Sequence, residues 1–336
     1  MKNNKPKYIF FLFFILISFL TSCSLQNNSG EKTVRLNEVT RSVFYAPQYV
    51  ALELGYFKEC SLDVRLSCAE GSDRTMTAIL ARQADIGLLG ASAAMHVRSQ
   101  GKEKCPVIFA QLTQRDGSFL VGRSPDFKWD DLRGKEIIAG RRGGTPEMVL
   151  EHILKSKGFD TQNDLTLLTN IQFNLMGIAF SRGVGDYVCL FEPTASLLAK
   201  EKSFCILKSL GMECEKLLYT GYCSSPEYIE SNPDTIQNFT NAIHKAQVWV
   251  KNHTAKEIAQ VIMPYFVDAS PELLTSCIEN YLKNDVWCES PWVNQEAFES
   301  MQEIMIEAGE LDKRVNFEEL VVNQFANCSM EEVIFK

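Results

Sequence analysis

Histidine, clustered positive charge and catalytic signatures are what this 336-residue chain has least of. Its 4 histidines (His96, His152, His244, His253) sit in helical patterns that suit surface or packing roles. The 11 cysteines form no CxxC pair and have no histidine at ligand spacing, so no zinc site and no other metal is expected. No G-x-S-x-G elbow, H-E-x-x-H helix or phosphate-binding loop occurs, which removes the hydrolase, metalloprotease and nucleotide-binding readings those motifs carry. Basic residues (34) are outnumbered by acidic ones (42), giving a net charge of -8. Such a chain lacks the clustered positive charge that nucleic acid requires. Internal repeats are absent too.

The first residues carry the clearest single signal. Lys2, Lys5 and Lys7 precede an apolar run, Tyr8–Leu20, which is too short for a comfortable membrane span. The run ends Leu20-Thr21-Ser22-Cys23, which matches the lipobox of bacterial lipoproteins, so residues 1–22 read as a signal peptide and Cys23 as the lipidated residue. Residues 23–32 are polar and suit a tether between lipid and domain. Losing residues 1–22 removes three lysines and no acid, leaving the exported chain more acidic still. What remains exceeds one ordinary domain and suits two lobes. Export permits disulfides, but Cys189 in YVCLF and Cys205 in FCIL read as small buried hydrophobes within strands.

Residues 43–92 alternate strand and helix. Tyr45-Ala46-Pro47 turns a strand end into a helix, with proline where a missing N–H costs nothing. Val50, Leu54 and Phe57 follow at helical spacing, and Gly55 is placed to stop the helix. Leu62, Val64 and Leu66 alternate as a strand. Ser72-Asp73 is expected to cap a helix carrying Met76, Ile79 and Leu80. Ala84–Gly90 reads as a short buried strand, and Ser92 can start a third helix. Each strand's C-terminal end thus delivers a helix N-terminus to one edge, where open α/β sheets bind ligands.

A break at Thr113–Ser118 follows the next buried strand. Beyond it the theme repeats: strands at 135–139, 165–168, 187–191 and 204–207, helices at 145–157, 174–180 and 193–200. Leu217–Cys223 reads as a return, and residues 226–320 are mostly amphipathic helix. The expected class is α/β, two lobes joined by two crossings, which is the type II periplasmic binding protein layout. Lobe one takes 33–112 plus 224–336 and lobe two takes 118–219, with hinge crossings at 113–117 and 220–223.

APQYVALELGYF, the G-S-D helix start, RQADIGLLGASAA, DLRGKEI and DYVCLFEP together resemble the SsuA/THI5-like (NMT1-like) family. Its members are solute-binding proteins of ABC importers for sulfonates, taurine, nitrate, thiamine pyrimidine precursors and riboflavin. The resemblance implies a monomer that captures a small molecule extracytoplasmically and hands it to a permease and its ATPase, without a cofactor. It implies no catalysis: the cysteine-rich CCCFC motif of the pyrimidine-synthase relatives is absent, and the chorismate-dehydratase branch is cytoplasmic.

Position then selects candidate ligand residues. Lobe one offers Tyr45, Ala46 and Ser92, with Ser72, Asp73 and Ala91 nearby. Lobe two offers Gly143, Gly144 and Thr145 at a helix start, Asn174, and Glu192 at a strand end, with Arg142 beside them. The crossings offer Gln114, Asp116, Tyr219 and Tyr222. Carboxylates, amides and tyrosines outnumber guanidinium groups in this set. That favours a flat nitrogen heterocycle, with N–H donors and a π face, over a sulfonate or nitrate, which wants cations.

Overall fold

The computed structural model describes residues 30–101, 104–201 and 203–334; the signal segment and Cys23 lie outside them. Strands β1 (Lys32–Glu38), β2 (Leu62–Cys68), β3 (Ile86–Gly90), β4 (Val107–Thr113) and β10 (Thr220–Ser224) form one sheet in the order β2-β1-β3-β10-β4. β5 (Phe119–Gly122), β6 (Glu136–Ile138), β7 (Thr166–Leu168), β8 (Tyr187–Leu190) and β9 (Cys205–Ser209) form a second, ordered β7-β6-β8-β5-β9. In each sheet four strands run the same way, and the strand following a crossing enters antiparallel between two of them: β5 between β8 and β9, β10 between β3 and β4. Burial follows position in the sheet. β3 reads IGLLG and is buried at every residue, as a central strand covered on both faces must be, whereas edge strand β2 stays half exposed.

Helices α1 (Ala46–Glu53), α2 (Ser72–Leu80) and α3 (Ala91–Ser99) cover the first sheet, and α4 (Thr145–Ser156), α5 (Met176–Ser181) and α6 (Thr194–Ala199) the second. The chain leaves lobe one after Thr113 and returns between Ser209 and Thr220. Residues 220–223 therefore lie in the paired strand β10, and the returning connection is 210–219. The rest is helical: α7 (Pro233–Lys251), α8 (Ala255–Ile262), α9 (Pro271–Lys283), α10 (Gln295–Glu307) and α11 (Gln324–Ile334). α7 buries Ile236, Phe239, Ile243, Ala246 and Val250, the stripe its 3.6-residue period dictates. α8 starts on a reciprocal Thr254–Glu257 capping box. α9 and α10, although returned to lobe one, also reach α6 and α4 of lobe two.

One local expectation is corrected. Ser72 and Asp73 do not cap α2; Gly71 is its N-cap and the two residues form the first turn. Their side chains turn away, Ser72 Oγ accepting from the Gly90 N–H at 3.4 Å and Asp73 Oδ1 from Arg141 Nη1 at 3.3 Å. Tertiary partners outcompete the local cap.

Candidate ligand-binding site

The C-terminal strand edges of the two sheets face one another, and helix N-termini meet across the gap. Gly90 ends β3 and Ser92 lies in the first turn of α3; Gly144 caps α4 and Thr145 begins it. Ser92 Oγ and Thr145 Oγ1 are 2.8 Å apart, a direct hydroxyl bridge between the lobes. Gly143 holds a left-handed φ of 70° and donates its N–H to Glu147 Oε2 at 3.1 Å. Arg142 is exposed, and Arg141 reaches Asp73.

Deeper in, the junction is aromatic. Phe44, just before α1, packs edge-on against Phe191 at the end of β8 (5.3 Å, 70°) and against Tyr219 of the returning connection (5.6 Å, 90°). Tyr281 of α9 stands 5.6 Å from the same ring, and the Trp287 indole N–H donates to the Phe44 carbonyl at 2.8 Å. Phe173 continues the wall from Phe191 (5.4 Å) to the exposed rim beside Asn174.

Tyr45 is the N-cap residue of α1 and only 4% exposed. Among the described residues its hydroxyl has no hydrogen-bond partner. Burial pushes this phenol up, and Glu38 at the end of β1 and Cys68 at the end of β2 add to the effect. The oxygen is not among the fully enclosed unmatched atoms, so it keeps a sliver of exposure through which a partner can reach it. Ala46, fully buried, follows it.

The other candidates find partners within the protein. Asp116 is fully buried; Oδ1 accepts from the Ser118 N–H and hydroxyl, and Oδ2 from Tyr219 Oη at 2.9 Å. Burial raises this carboxyl to about 6 in spite of those donors. Glu192 accepts from the Ser196 N–H and hydroxyl (2.9 and 2.7 Å), Asn280 Nδ2 (2.7 Å) and Cys277 Sγ (3.5 Å), tying lobe two to α9. Gln114 Nε2 donates to the carbonyls of Asp285 and Trp287. Tyr222 is fully buried in lobe one, its hydroxyl on Gln48 Oε1 at 3.2 Å. The geometry thus brings Tyr45, Ser92, Gly143, Gly144 and Thr145 to the gap, puts Asn174 at its rim, and engages Gln114, Asp116, Glu192 and Tyr222 internally.

Sequence reasoning passes over Glu38, Arg41, Phe44, Phe191 and Glu147. Glu38 is fully buried, with Oε2 accepting from Gln48 Nε2 (2.8 Å) and Tyr49 Oη (2.9 Å). Arg41 Nε lies 3.0 Å from Oε1, at a geometry too poor for a hydrogen bond, so charge alone pairs that oxygen. Burial raises the Glu38 carboxyl to about 7. Its signal was available: an acid in the last position of a strand pointing at the ligand edge. Among the described residues no histidine, cysteine and carboxylate cluster could hold a metal ion.

Two α/β lobes, joined by two crossings with facing helix N-termini, define a periplasmic-binding-protein fold. The chain belongs to the NMT1/THI5-like family, whose model matches residues 43–257. It is 40% identical over 314 residues to the Bacillus subtilis (strain 168) protein named "Putative binding protein YtlA", covering 93% of this chain and 94% of that one. The alkanesulfonate-binding protein SsuA from Xanthomonas axonopodis pv. citri, solved bound to MOPS, shares the fold with a TM-score of 0.70 at 15% identity, over 87% of this chain and 99% of that one. The desulfurization enzyme DSZB shares it as well, with a TM-score of 0.66 at 13% identity over 90% and 100%.

Proposed function

We propose that the protein is the lipid-anchored, extracytoplasmic solute-binding component of an ABC importer, and that its ligand is a small, flat, uncharged or weakly basic nitrogen heterocycle. A relative 40% identical along nearly its whole length is named a binding protein, and the lipobox at Cys23 fits an exported, anchored one. The observation that carries the ligand class is Tyr45: a buried phenol with no protein partner, beside a junction walled by Phe44, Phe191 and Tyr219. Such a wall suits a π face, and the hydroxyl can donate to a ring nitrogen or accept from an exocyclic amine.

Sulfonate is the second reading, favoured by what SsuA binds. Against it, the guanidinium groups near the gap are already engaged: Arg41 by Glu38, Arg141 by Asp73, and Arg115 by the carbonyls of Gly211 and Cys214. The exposed Arg142 and the α3 and α4 N-termini are left to meet an oxyanion. Asp116 and Glu192 carry less weight for the heterocycle than their sequence positions suggest, because protein donors already occupy their oxygens.

A thermal-shift panel of taurine, alkanesulfonates, nitrate, aminopyrimidines, thiamine and riboflavin tests the class. A compound at a hundred times its Kd stabilises by about 2.7 kcal/mol, which is readily seen. Stabilisation by a heterocycle, lost in Tyr45→Phe with the unliganded melting temperature retained, is the expected result. Stabilisation by taurine alone would overturn it. Palmitate labelling that disappears in Cys23→Ala checks the anchor.

A further inference from the structure

Along one side of the molecule α4 of lobe two lies against α10 of lobe one, and ionisable side chains (His152, Lys155 and Glu307) make polar contacts between them. We propose that closing the two lobes takes up protons along this edge, so that acid favours the closed form and alkali the open one. The inference rests on the two-lobed binding reading above.

His152 of α4 places Nδ1 2.6 Å from Glu307 Oε2 at the end of α10, and the pair is an ion pair only with the ring protonated. Glu215, from the returning connection, lies 3.9 Å from the other ring nitrogen. Lys155, one turn on, donates to the Glu307 carbonyl at 3.1 Å and also approaches Glu151. It caps the C-terminal end of α10, where a cation is favoured.

At the start of α4 the contact is of the opposite kind. A Cβ on Gly143 would stand 2.8–3.0 Å from the Glu310 carboxylate, so this lobe-one acid lies flush on the lobe-two loop. Beneath that loop Glu147 is buried, accepting only the Gly143 N–H. Its charged neighbours are Glu151 and Glu310, both acidic, with Arg142 as the opposing charge. The remaining groups on the edge do not relieve it. His96 of α3 meets the Glu310 carbonyl and the Gln100 side-chain amide, Arg141 is held by Asp73 of α2, and Glu213 is held by Lys157 and Lys208.

Separating the lobes takes Glu307 away from His152 and Glu310 away from Glu147. The second change releases protons, because it removes an anion that opposes the Glu147 carboxylate; the first breaks a contact between the lobes that is an ion pair only with His152 protonated. Burial, chiefly, and the acidic neighbours raise Glu147 from near 4.5 to about 7 in this closed arrangement. The share of that rise that Glu310 adds across the gap stabilises the closed form at low pH, and that advantage is lost as pH rises through about 7. Each unit by which closing raises a group's value is worth about tenfold in the closed-to-open ratio.

Small-angle scattering of the purified, unliganded chain at pH 5.5 and 8.5 tests this, with a Ser92→Cys/Thr145→Cys cross-link supplying the closed reference. The expected result is a smaller radius at pH 5.5 and a larger one, shifted toward the open form, at pH 8.5. Glu147→Gln should stay compact at both values, and His152→Gln, which removes the Glu307 contact, should loosen the edge. If Glu147→Gln fails to fold by circular dichroism, Glu310→Gln replaces it with the same expectation. A wild-type radius independent of pH, or a dependence left intact in the Glu147→Gln/His152→Gln double variant, overturns the proposal. Either failure leaves the ligand panel untouched, and a blank ligand panel leaves the pH response to stand alone.

Discussion

At the scale of single residues the buried carboxylates divide the labour. Asp116 joins the outgoing connection to the returning one through Tyr219, and an amide cannot accept all three of its hydrogen bonds. Asp116→Asn is expected to destabilise by about 1–3 kcal/mol, the penalty for buried polar groups left unmatched, read as a lower midpoint in urea. Glu38 differs, because Arg41 pairs Oε1 without a proper hydrogen bond while burial raises the carboxyl from near 4.5 to about 7. A raised native value means stability present in full below about 4.5 and lost as pH rises through about 7. Melting temperatures of wild type should therefore decline across that window, and Glu38→Gln should flatten the decline. A variant that keeps the wild-type slope would remove Glu38 as its source.

At the scale of elements, the loop into α4 combines two constraints on one residue. Gly143 is left-handed at φ 70°, and its missing Cβ admits Glu310. Gly143→Ala should cost about 1–2 kcal/mol for the backbone alone and more for the clash. Glu310→Ala should recover the second part and leave the first, a coupling that a double-mutant cycle of urea midpoints measures. Here, too, the limits of the sequence are visible. The apolar stripe of α7, the all-buried run of β3 and the Pro47 start of α1 are written locally, in period and in turn chemistry, and could be read. The positions of Asp116 and Glu192 could be read too, at a crossing and a strand end. Whether their oxygens were spare could not, since Tyr219 and Asn280 arrive from 103 and 88 residues away. Ser72 looked like a cap for the same reason: nothing in its neighbourhood names Gly90. Tyr222 and Tyr45 are both tyrosines near strand ends, and only the sheet pairing sends one into the core and the other to the gap.

For the molecule as a whole, the contacts between lobes other than the α4–α10 edge fall into two groups, one beside the connections and one along the facing helix starts. Phe44 touches Phe191 and Tyr219, and Glu192 is bound to Asn280, all close to where 114–118 and 210–219 cross. The Ser92–Thr145 bridge and the Arg141–Asp73 pair lie out along the facing helix starts. A rotation about the connections strains the first group least and parts the second, so we expect the aromatic cluster to act as the pivot and the hydroxyl bridge to be a clasp. A hydrogen bond between two neutral hydroxyls is worth about 1 kcal/mol, enough to shift a two-state balance about fivefold. Thr145→Val keeps the shape of the side chain and deletes that bond. At pH 7 and without ligand its scattering radius should exceed that of wild type, while the cross-linked Ser92→Cys/Thr145→Cys chain should fall below both. Equal radii for the valine variant and wild type would mean that the clasp carries no weight, and that closure is held at the α4–α10 edge instead.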